Sequence, residues 1–238
     1  MTVSLKHPKN DWMEKLPFDR LLVELSLWSA DLGKLEADTL RVETGADIFH
    51  IDVADGHFSP AFLFFPDLVA RLRNVTPKPF HVHLMMADAI LLDQIEQFAN
   101  AGADLISIHA ENANAAEGLA AIRKRGLRAG IVLQLHTPVA AARPFLTKID
   151  MLTLLGTRIG VKGQGLADEA TSRLGEARKL VAGEVGRRRV ILAADGGIRE
   201  NTVPQLRTAG AETVVMGSLA FGAADFPARI AWAHGLAA

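Results

Sequence analysis

The stretch VILAADGG, residues 190–197, shows the local pattern on which the fold of this chain depends. An apolar run precedes an aspartate and two glycines, which is typical of a buried parallel strand that ends in a tight loop. Similar apolar runs recur roughly every 25–30 residues, and stretches with helical spacing separate them, as in repeated βα units. The pattern predicts strands at residues 21–27, 47–53, 79–84, 103–108, 128–134, 150–155, 189–194 and 212–216.

Eight predicted strands favour a closed barrel over an open sheet. Apolar residues at spacings of three and four predict helices within residues 88–101, 114–124 and 167–182. Closure removes the two unpaired edges that an open parallel sheet would leave. The sequence therefore predicts an α/β fold, a single (β/α)8 TIM barrel over residues 21–238, with residues 1–20 as an N-terminal appendage that covers the barrel bottom.

Composition limits the classes of function that need to be considered. The chain is 49% hydrophobic and 22% charged, with a formal net charge of -1. Because it has no dense basic run, we expect a small-molecule partner and neither nucleic acid nor a membrane surface. No apolar segment approaches the roughly 18 residues of a membrane span, and the N-terminus lacks the apolar core of a signal peptide. The expected location is the cytoplasm.

Ionisable side chains cluster at the C-terminal ends of predicted strands. Residues two apart on a strand share a face, which places His50 beside Asp52 and His81 beside His83. Asp195 follows another strand, and the C-terminal strand ends form the active-site face of a parallel barrel. Taken alone, a strand histidine is more often a hydrogen-bonded core residue, and an Asp-Gly pair is more often only a turn. Together they predict a metal site, because buried charges need partners or a metal.

The absence of cysteine restricts the ligands of such a site to histidine and carboxylate. This donor set predicts one divalent metal ion, with zinc as the first expectation and iron(II), manganese or cobalt as alternatives. His109 and His136 are predicted to end two further strands.

Glycine-rich loops after the last strands predict a phosphate site. Gly196 and Gly197 follow the seventh strand, and Gly217 and Ser218 follow the eighth. TIM barrels commonly bind phosphate there through backbone N–H groups and a helix N-terminus. The loop after the sixth predicted strand adds two cationic donors, Arg158 and Lys162. It also adds Gly160, Gly163 and Gln164. The alternative is that these loops are only tight turns.

From about Glu24 to Phe221 the chain resembles the ribulose-phosphate 3-epimerase family, the ketose-phosphate 3-epimerases. The most specific match is His-x-Asp-x-x-Asp-Gly-His-Phe at residues 50–58. The other matching stretches are residues 26–32, 82–85, 101–104, 129–130, 137–138, 163–164, 195–197 and 217–218.

The resemblance implies an isomerase that epimerises C3 of a ketose phosphate, such as ribulose 5-phosphate and xylulose 5-phosphate or a related sugar phosphate. It implies that Asp52 and Asp195 transfer protons through an enediolate and that His50, Asp52, His83 and Asp195 bind the metal. It further implies that Ser26 contacts the substrate and that the chain forms a homo-oligomer. The remaining implied contacts to sugar or phosphate are Gly160, Gly163, Gln164, Gly196, Gly197, Gly217 and Ser218.

The substrate-facing lining departs from the family pattern. Residues 158–164 replace the usual Asn-Pro-Gly-Phe-Gly-Gly-Gln, and Ala54 replaces a methionine beneath the substrate. Further replacements are His81 for a common aspartate, Leu25 for a proline and Gln134 for an asparagine. These changes predict a ketose phosphate other than ribulose 5-phosphate, either different in length or with extra negative charge near Arg158 and Lys162.

Two other functions are compatible with the same barrel. A Schiff-base aldolase would use a lysine near a strand end, and Lys162 is the candidate. A non-catalytic sugar-phosphate sensor would keep the pocket, but a pure binder has no need for two opposed carboxylates at Asp52 and Asp195.

Overall fold

The computed structural model describes residues 6–186 and 189–237, and within them it confirms the predicted TIM barrel. Eight parallel strands form a closed ring in the order β1-β9-β8-β7-β6-β5-β4-β2, and β2 pairs with β1 to close it. A short strand, β3, pairs antiparallel with β2 outside the ring. The strands are β1 Leu22–Ser26, β2 Ile48–Asp55, β3 Phe62–Leu63, β4 Phe80–Met85, β5 Leu105–His109, β6 Arg128–Leu133, β7 Met151–Leu155, β8 Ile191–Asp195 and β9 Thr213–Met216.

Helices cover the outside of the ring, and α3, α4 and α5 occupy the segments where helical spacing is clearest. Their bounds are α1 Leu35–Val42, α2 Pro66–Arg73, α3 Asp88–Asn100, α4 Ala115–Lys124, α5 Ala170–Glu184, α6 Val203–Ala209, α7 Ser218–Phe221 and α8 Phe226–His234. Between β6 and β7 the connection is a 3₁₀ segment, Val139–Lys148, which contains Pro144. Proline disfavours a regular α-helix because it lacks an N–H donor and its ring crowds the preceding turn. Shorter 3₁₀ segments are Leu27–Ser29, Leu32–Lys34 and Glu43–Gly45.

An apolar cluster closes the N-terminal end of the barrel. Met13 and Leu16, both 8% exposed, pack there with residues at the beginnings of the strands. The strand residues are Leu22, Ile48, Leu105, Met151 and Ile191. These contacts leave the opposite end of the barrel for the polar strand ends. The division of the chain at residue 20 stays a prediction, and residues 1–5 lie outside the described part.

One strand-end prediction is wrong. β6 stops at Leu133, and His136 lies in a turn beyond it, with 80% of its side chain exposed. The Thr137 N–H donates to the Gln134 carbonyl over 3.0 Å, and the Arg173 guanidinium binds both carbonyls of this turn. These bonds turn the chain away before His136 can reach the barrel interior.

Among the helices described, none is long and apolar enough to cross a bilayer.

Candidate active site

Four ionisable side chains meet at the C-terminal end of the barrel. His50 and Asp52 lie on β2, His83 on β4 and Asp195 at the end of β8. The register of β2 and β4 pairs Asp52 with His83, so these two inward-facing side chains are neighbours. One potential ligand atom from each of the four residues lies within 4.8 Å of the others. Residues far apart in the sequence thus form a single cluster.

The spacing and donor types of this cluster fit one divalent cation. Asp52 Oδ1 lies 3.3 Å from His50 Nε2 and 3.6 Å from His83 Nδ1, and Asp195 Oδ2 lies 3.8 Å from His83 Nδ1. Both imidazole nitrogens are buried and have no hydrogen-bond partner among the described residues. Leaving such atoms unpaired is unfavourable, and imidazole with carboxylate is a common ligand set for zinc, iron and manganese.

Buried carboxylates give this cluster its electrostatic character. Burial lowers the pKa of His50, but Asp52 and then Glu24 outweigh burial and raise that pKa well above its usual value. Burial raises the pKa of Asp52, yet His50 and His83 outweigh it and hold that pKa well below its usual range. Negative charge is therefore concentrated here, which favours a proton or a metal cation between the side chains.

Asp195 responds to the same surroundings in the opposite direction. Burial and the charge of Asp52 outweigh the attraction of His50 and His83 and raise the pKa of Asp195. The surroundings therefore shift the pKa values of the two carboxyl groups in opposite directions, down for Asp52 and up for Asp195. A pair of this kind can supply one base and one acid.

Glu24 lies behind His50 and escaped the sequence analysis. Its Oε2 accepts from His50 Nδ1 over 3.0 Å and from His81 Nδ1 over 2.6 Å. Burial raises the pKa of Glu24, but the two histidines outweigh it and lower that pKa below its usual range. His81 completes its bonds through Nε2, which is 2.7 Å from Ser107 Oγ. A glutamate inside the apolar strand LLVELS was the signal that could have revealed this partner.

A second chain of contacts lies behind His83. Its Nε2 is 2.9 Å from His109 Nε2, and His109 Nδ1 is 3.1 Å from Glu111 Oε2. Burial, reinforced by His83 and opposed by Glu111, lowers the pKa of His109 to about 4. His109 ends β5, as predicted, but its partner Glu111 was missed.

A cavity of 420 Å³ opens in front of the ionisable cluster. His50 and His81 are buried behind its wall. The predicted site residues that line it are Ser26, Asp52, His83, Arg158, Gly160, Lys162, Gly163, Gln164, Asp195, Gly196, Gly197, Gly217 and Ser218. The lining also includes Trp28, Met85, Leu155, Thr157 and Arg199, which the sequence analysis did not single out. The roles assigned to these residues stay predictions.

The loop after β7 crosses the mouth of the cavity. Gln164 Nε2 donates to the carbonyls of Arg158 over 2.9 Å and Val161 over 2.8 Å, which folds the loop on itself. Lys162 Nζ donates to the Trp28 carbonyl and stands 4.6 Å from the centre of the Trp28 ring. Burial lowers the pKa of Lys162, against the attraction of Asp52. The lowered pKa is compatible with the aldolase alternative, whereas the contact with Trp28 occupies the ammonium group.

The glycine loop after β8 packs tightly against the loop after β7. Gly197 has a φ of 70°, and a Cβ atom there would lie 2.6 Å from Leu166 Cα. Only glycine meets both conditions without strain, because other residues rarely adopt a positive φ. Gly217 and Ser218 follow the neighbouring strand, β9, and begin α7. The two glycine loops therefore form one rim of the cavity.

Comparison with known proteins agrees with this geometry. A solved structure of 3-hexulose-6-phosphate synthase superposes with a TM-score of 0.64, at 17% identity, over 92% of this chain and 100% of that one, which shows the shared fold. Ribulose-phosphate 3-epimerase of Bacillus subtilis (strain 168) is 36% identical over 84% of this chain and 92% of its own length. The same-named protein of Treponema pallidum (strain Nichols) is 38% identical over 82% and 89%. Because the model of the ribulose-phosphate 3 epimerase family also matches residues 22–221, this chain belongs to that family and is an epimerase acting on carbohydrates.

Proposed function

We propose that this protein epimerises C3 of a ketose phosphate and that His50, Asp52, His83 and Asp195 hold one divalent cation, with zinc the first expectation. The observation that carries the proposal is the cluster of two carboxylates and two unpartnered imidazole nitrogens, with potential ligand atoms within 4.8 Å of one another. It faces a cavity of 420 Å³, which is large enough for a small sugar phosphate.

Inversion of a carbon next to a ketone requires a proton to leave one face and another to arrive at the opposite face. Asp52 and Asp195 project from different strands, and we assign them as the two groups that remove and return the proton. Their roles exchange in the reverse direction. A divalent cation at this position would supply Lewis acidity that stabilises negative charge on the oxygens beside the reacting carbon.

The cavity rim supplies the remaining functions. Ser26 Oγ donates to Asp52 Oδ2 over 2.8 Å, which holds that carboxylate while Oδ1 faces the histidines. We assign phosphate binding to the backbone N–H groups of Gly197, Gly217 and Ser218 at the rim. The loop of residues 160–164 would exclude water, which would otherwise protonate the enediolate without stereochemical control.

Cationic side chains at the mouth bear on the choice of substrate. Arg158, Lys162 and Arg199 all line the cavity. A second negative group on the sugar would be attracted to them, since guanidinium and ammonium groups bind anions well. We propose a ketose phosphate other than ribulose 5-phosphate, with extra negative charge near Arg158 and Lys162.

Proton NMR in deuterium oxide tests the reaction directly. Zinc-loaded protein is mixed with ribulose 5-phosphate and with a panel of other ketose phosphates, and deuterium at C3 is followed over time. Asp52→Asn and Asp195→Asn should each lower turnover about 100-fold or more, while the exposed Asp93→Asn serves as control. Rapid conversion of ribulose 5-phosphate would contradict the substrate proposal alone.

If no ketose phosphate in the panel exchanged its C3 proton, the whole proposal would be contradicted and the sensor would be favoured. Borohydride trapping with the same panel addresses the remaining alternative, because an aldolase would acquire a stable label on Lys162.

A further inference from the structure

Each imidazole that faces the proposed cation site leads on its far side to a carboxylate. His50 reaches Glu24 directly, through Nδ1, over 3.0 Å. His83 reaches Glu111 through a second imidazole, with 2.9 Å between His83 Nε2 and His109 Nε2 and 3.1 Å from His109 Nδ1 to Glu111 Oε2. The three imidazoles are at most 1% exposed, whereas the Glu111 side chain at the end of the longer chain is 22% exposed.

The hydrogen bonds along the longer chain determine where each proton lies. A carboxylate only accepts, so His109 Nδ1 carries the proton that it shares with Glu111. A neutral imidazole has one N–H, which leaves a lone pair on His109 Nε2. His83 Nε2 must then donate across the 2.9 Å contact, and its Nδ1 keeps a lone pair. That atom is the unpartnered nitrogen that faces Asp52 and Asp195.

We propose that Glu111, acting through His109, is a positioning residue that sets the tautomer and orientation of His83 for metal binding. The inference rests on the proposed function, in which His83 is a metal ligand. The competing explanation is that Glu111 only holds the turn after β6, because its Oε1 accepts from the Gln134 N–H over 3.0 Å and from the Thr137 hydroxyl. Glutamine at position 111 separates the two explanations.

In Glu111→Gln the amide oxygen remains on the Gln134 N–H, which can only donate. The amide NH₂ group then faces His109 Nδ1, which must accept. The proton of His109 moves to Nε2 and is donated to His83 Nε2. His83 then carries its own proton on Nδ1, which is the atom that should bind the metal. The variant keeps the turn but reverses both tautomers. Glu111→Ala removes the constraint without imposing the wrong tautomer.

Zinc affinity, measured by competition with a chromophoric chelator, is the first readout. Loss of an outer-shell partner typically weakens metal binding by about 10–100-fold, and we expect Glu111→Gln near the upper end and Glu111→Ala near the lower. Glu212→Ala is the matched control. Its side chain is 30% exposed against 22% for Glu111, and it binds Arg189 and the Leu192 N–H at the opposite end of the barrel. It should lower thermal stability and leave zinc affinity unchanged.

Histidine tautomers in the metal-free protein, observed by long-range ¹H–¹⁵N NMR, are the second readout. We expect protons on His109 Nδ1 and His83 Nε2 in the wild type and on the opposite nitrogens in Glu111→Gln. Wild-type zinc affinity in Glu111→Gln, or unchanged tautomers, would overturn the inference. If the wild type bound none of zinc, iron(II), manganese and cobalt, the proposed metal site would fail, while the tautomers would still decide whether Glu111 controls His83.

Discussion

The Asp52 carboxylate shows how single residues in this site combine several tasks. Ser26 occupies Oδ2 with a 2.8 Å hydrogen bond, while Oδ1 faces His50 and His83. The serine therefore limits rotation of the carboxylate and presents one oxygen to the cluster. At the rim of the cavity, Gly197 lets two loops pack closely, because any side chain there would push their backbones apart.

Gly197→Ala should disturb the phosphate site that we propose. A φ of 70° is unfavourable for alanine, and the new Cβ would lie 2.6 Å from Leu166 Cα, so the two loops must separate. We expect inorganic phosphate to bind about tenfold more weakly in calorimetric titration, equal to about 1.4 kcal/mol.

Gly126→Ala is the control for backbone strain, because Gly126 has a φ of 74° and nothing within 4 Å of its Cβ position. It should lower stability without changing phosphate affinity. Equal phosphate affinity in Gly197→Ala and the wild type would contradict the assignment of this loop.

At the scale of elements, register decides which side chains meet. Pairing of β2 with β4 sets His50 opposite His81 and Asp52 opposite His83. A shift by one residue would turn these side chains toward the helices, since alternate residues face opposite sides of a strand. Asp47, just before β2, contributes to the junction of β1, β2 and α8. It binds Arg20 over 2.6 and 2.9 Å, the Val23 N–H over 2.9 Å and His234 over 3.1 Å.

Asp47→Asn should destabilise the fold in a pH-dependent way. Burial raises the pKa of Asp47, but Arg20, His234 and the Val23 N–H together outweigh it, and the folded-state pKa lies below the usual range. The carboxylate therefore stabilises fully above its unfolded pKa of about 3.9, and this contribution is lost as pH falls through the folded pKa. We expect Asp47→Asn to lose about 2–3 kcal/mol at pH 7 in urea unfolding.

The difference between Asp47→Asn and the wild type should shrink below a pH of about 4, where the Asp47 carboxylate of the unfolded chain begins to gain a proton. Asp11→Asn is the matched control, since its ion pair with Lys15 is exposed and should not affect unfolding. A difference that is independent of pH would contradict the role of the Asp47 charge.

At the scale of the whole molecule, the barrel separates stability from chemistry. Met13 and Leu16 close the N-terminal end, and the ionisable cluster occupies the other. Distant sites of this kind usually respond independently to substitution.

Assembly into a homo-oligomer and a cytoplasmic location stay predictions.

Met13→Ala should reduce stability alone. Removing a buried methionine side chain typically costs about 2–5 kcal/mol, and the partial exposure of this end favours the lower part of that range. Urea unfolding should show the loss, while zinc affinity and turnover of the folded protein should equal those of the wild type. Glu14→Ala removes only an ion pair with Arg128 in which the Glu14 side chain is 58% exposed, so it should lower stability by less than about 1 kcal/mol and leave the other two quantities unchanged. A fall in turnover would show that the two ends are coupled.

Local patterns predicted the barrel and a cluster of ionisable groups at its strand ends, which comprised His50, Asp52, His81, His83 and Asp195. Apolar runs indicate buried strands, and residues at i and i+2 share a strand face. Their placement at strand ends follows from parallel topology. The family resemblance selected His50, Asp52, His83 and Asp195 from this cluster as the metal ligands.

The tertiary structure decided which partners stand behind these residues. Glu24 meets His50, and Glu111 reaches His83 through His109, across strand pairs that no local pattern specifies. His81 shares a strand face with His83 yet lies one layer deeper, against Glu24 and Ser107, because each two-residue step moves a side chain along the barrel axis. Sequence determined which residues point inward, whereas strand register and closure determined the depth and neighbours of each.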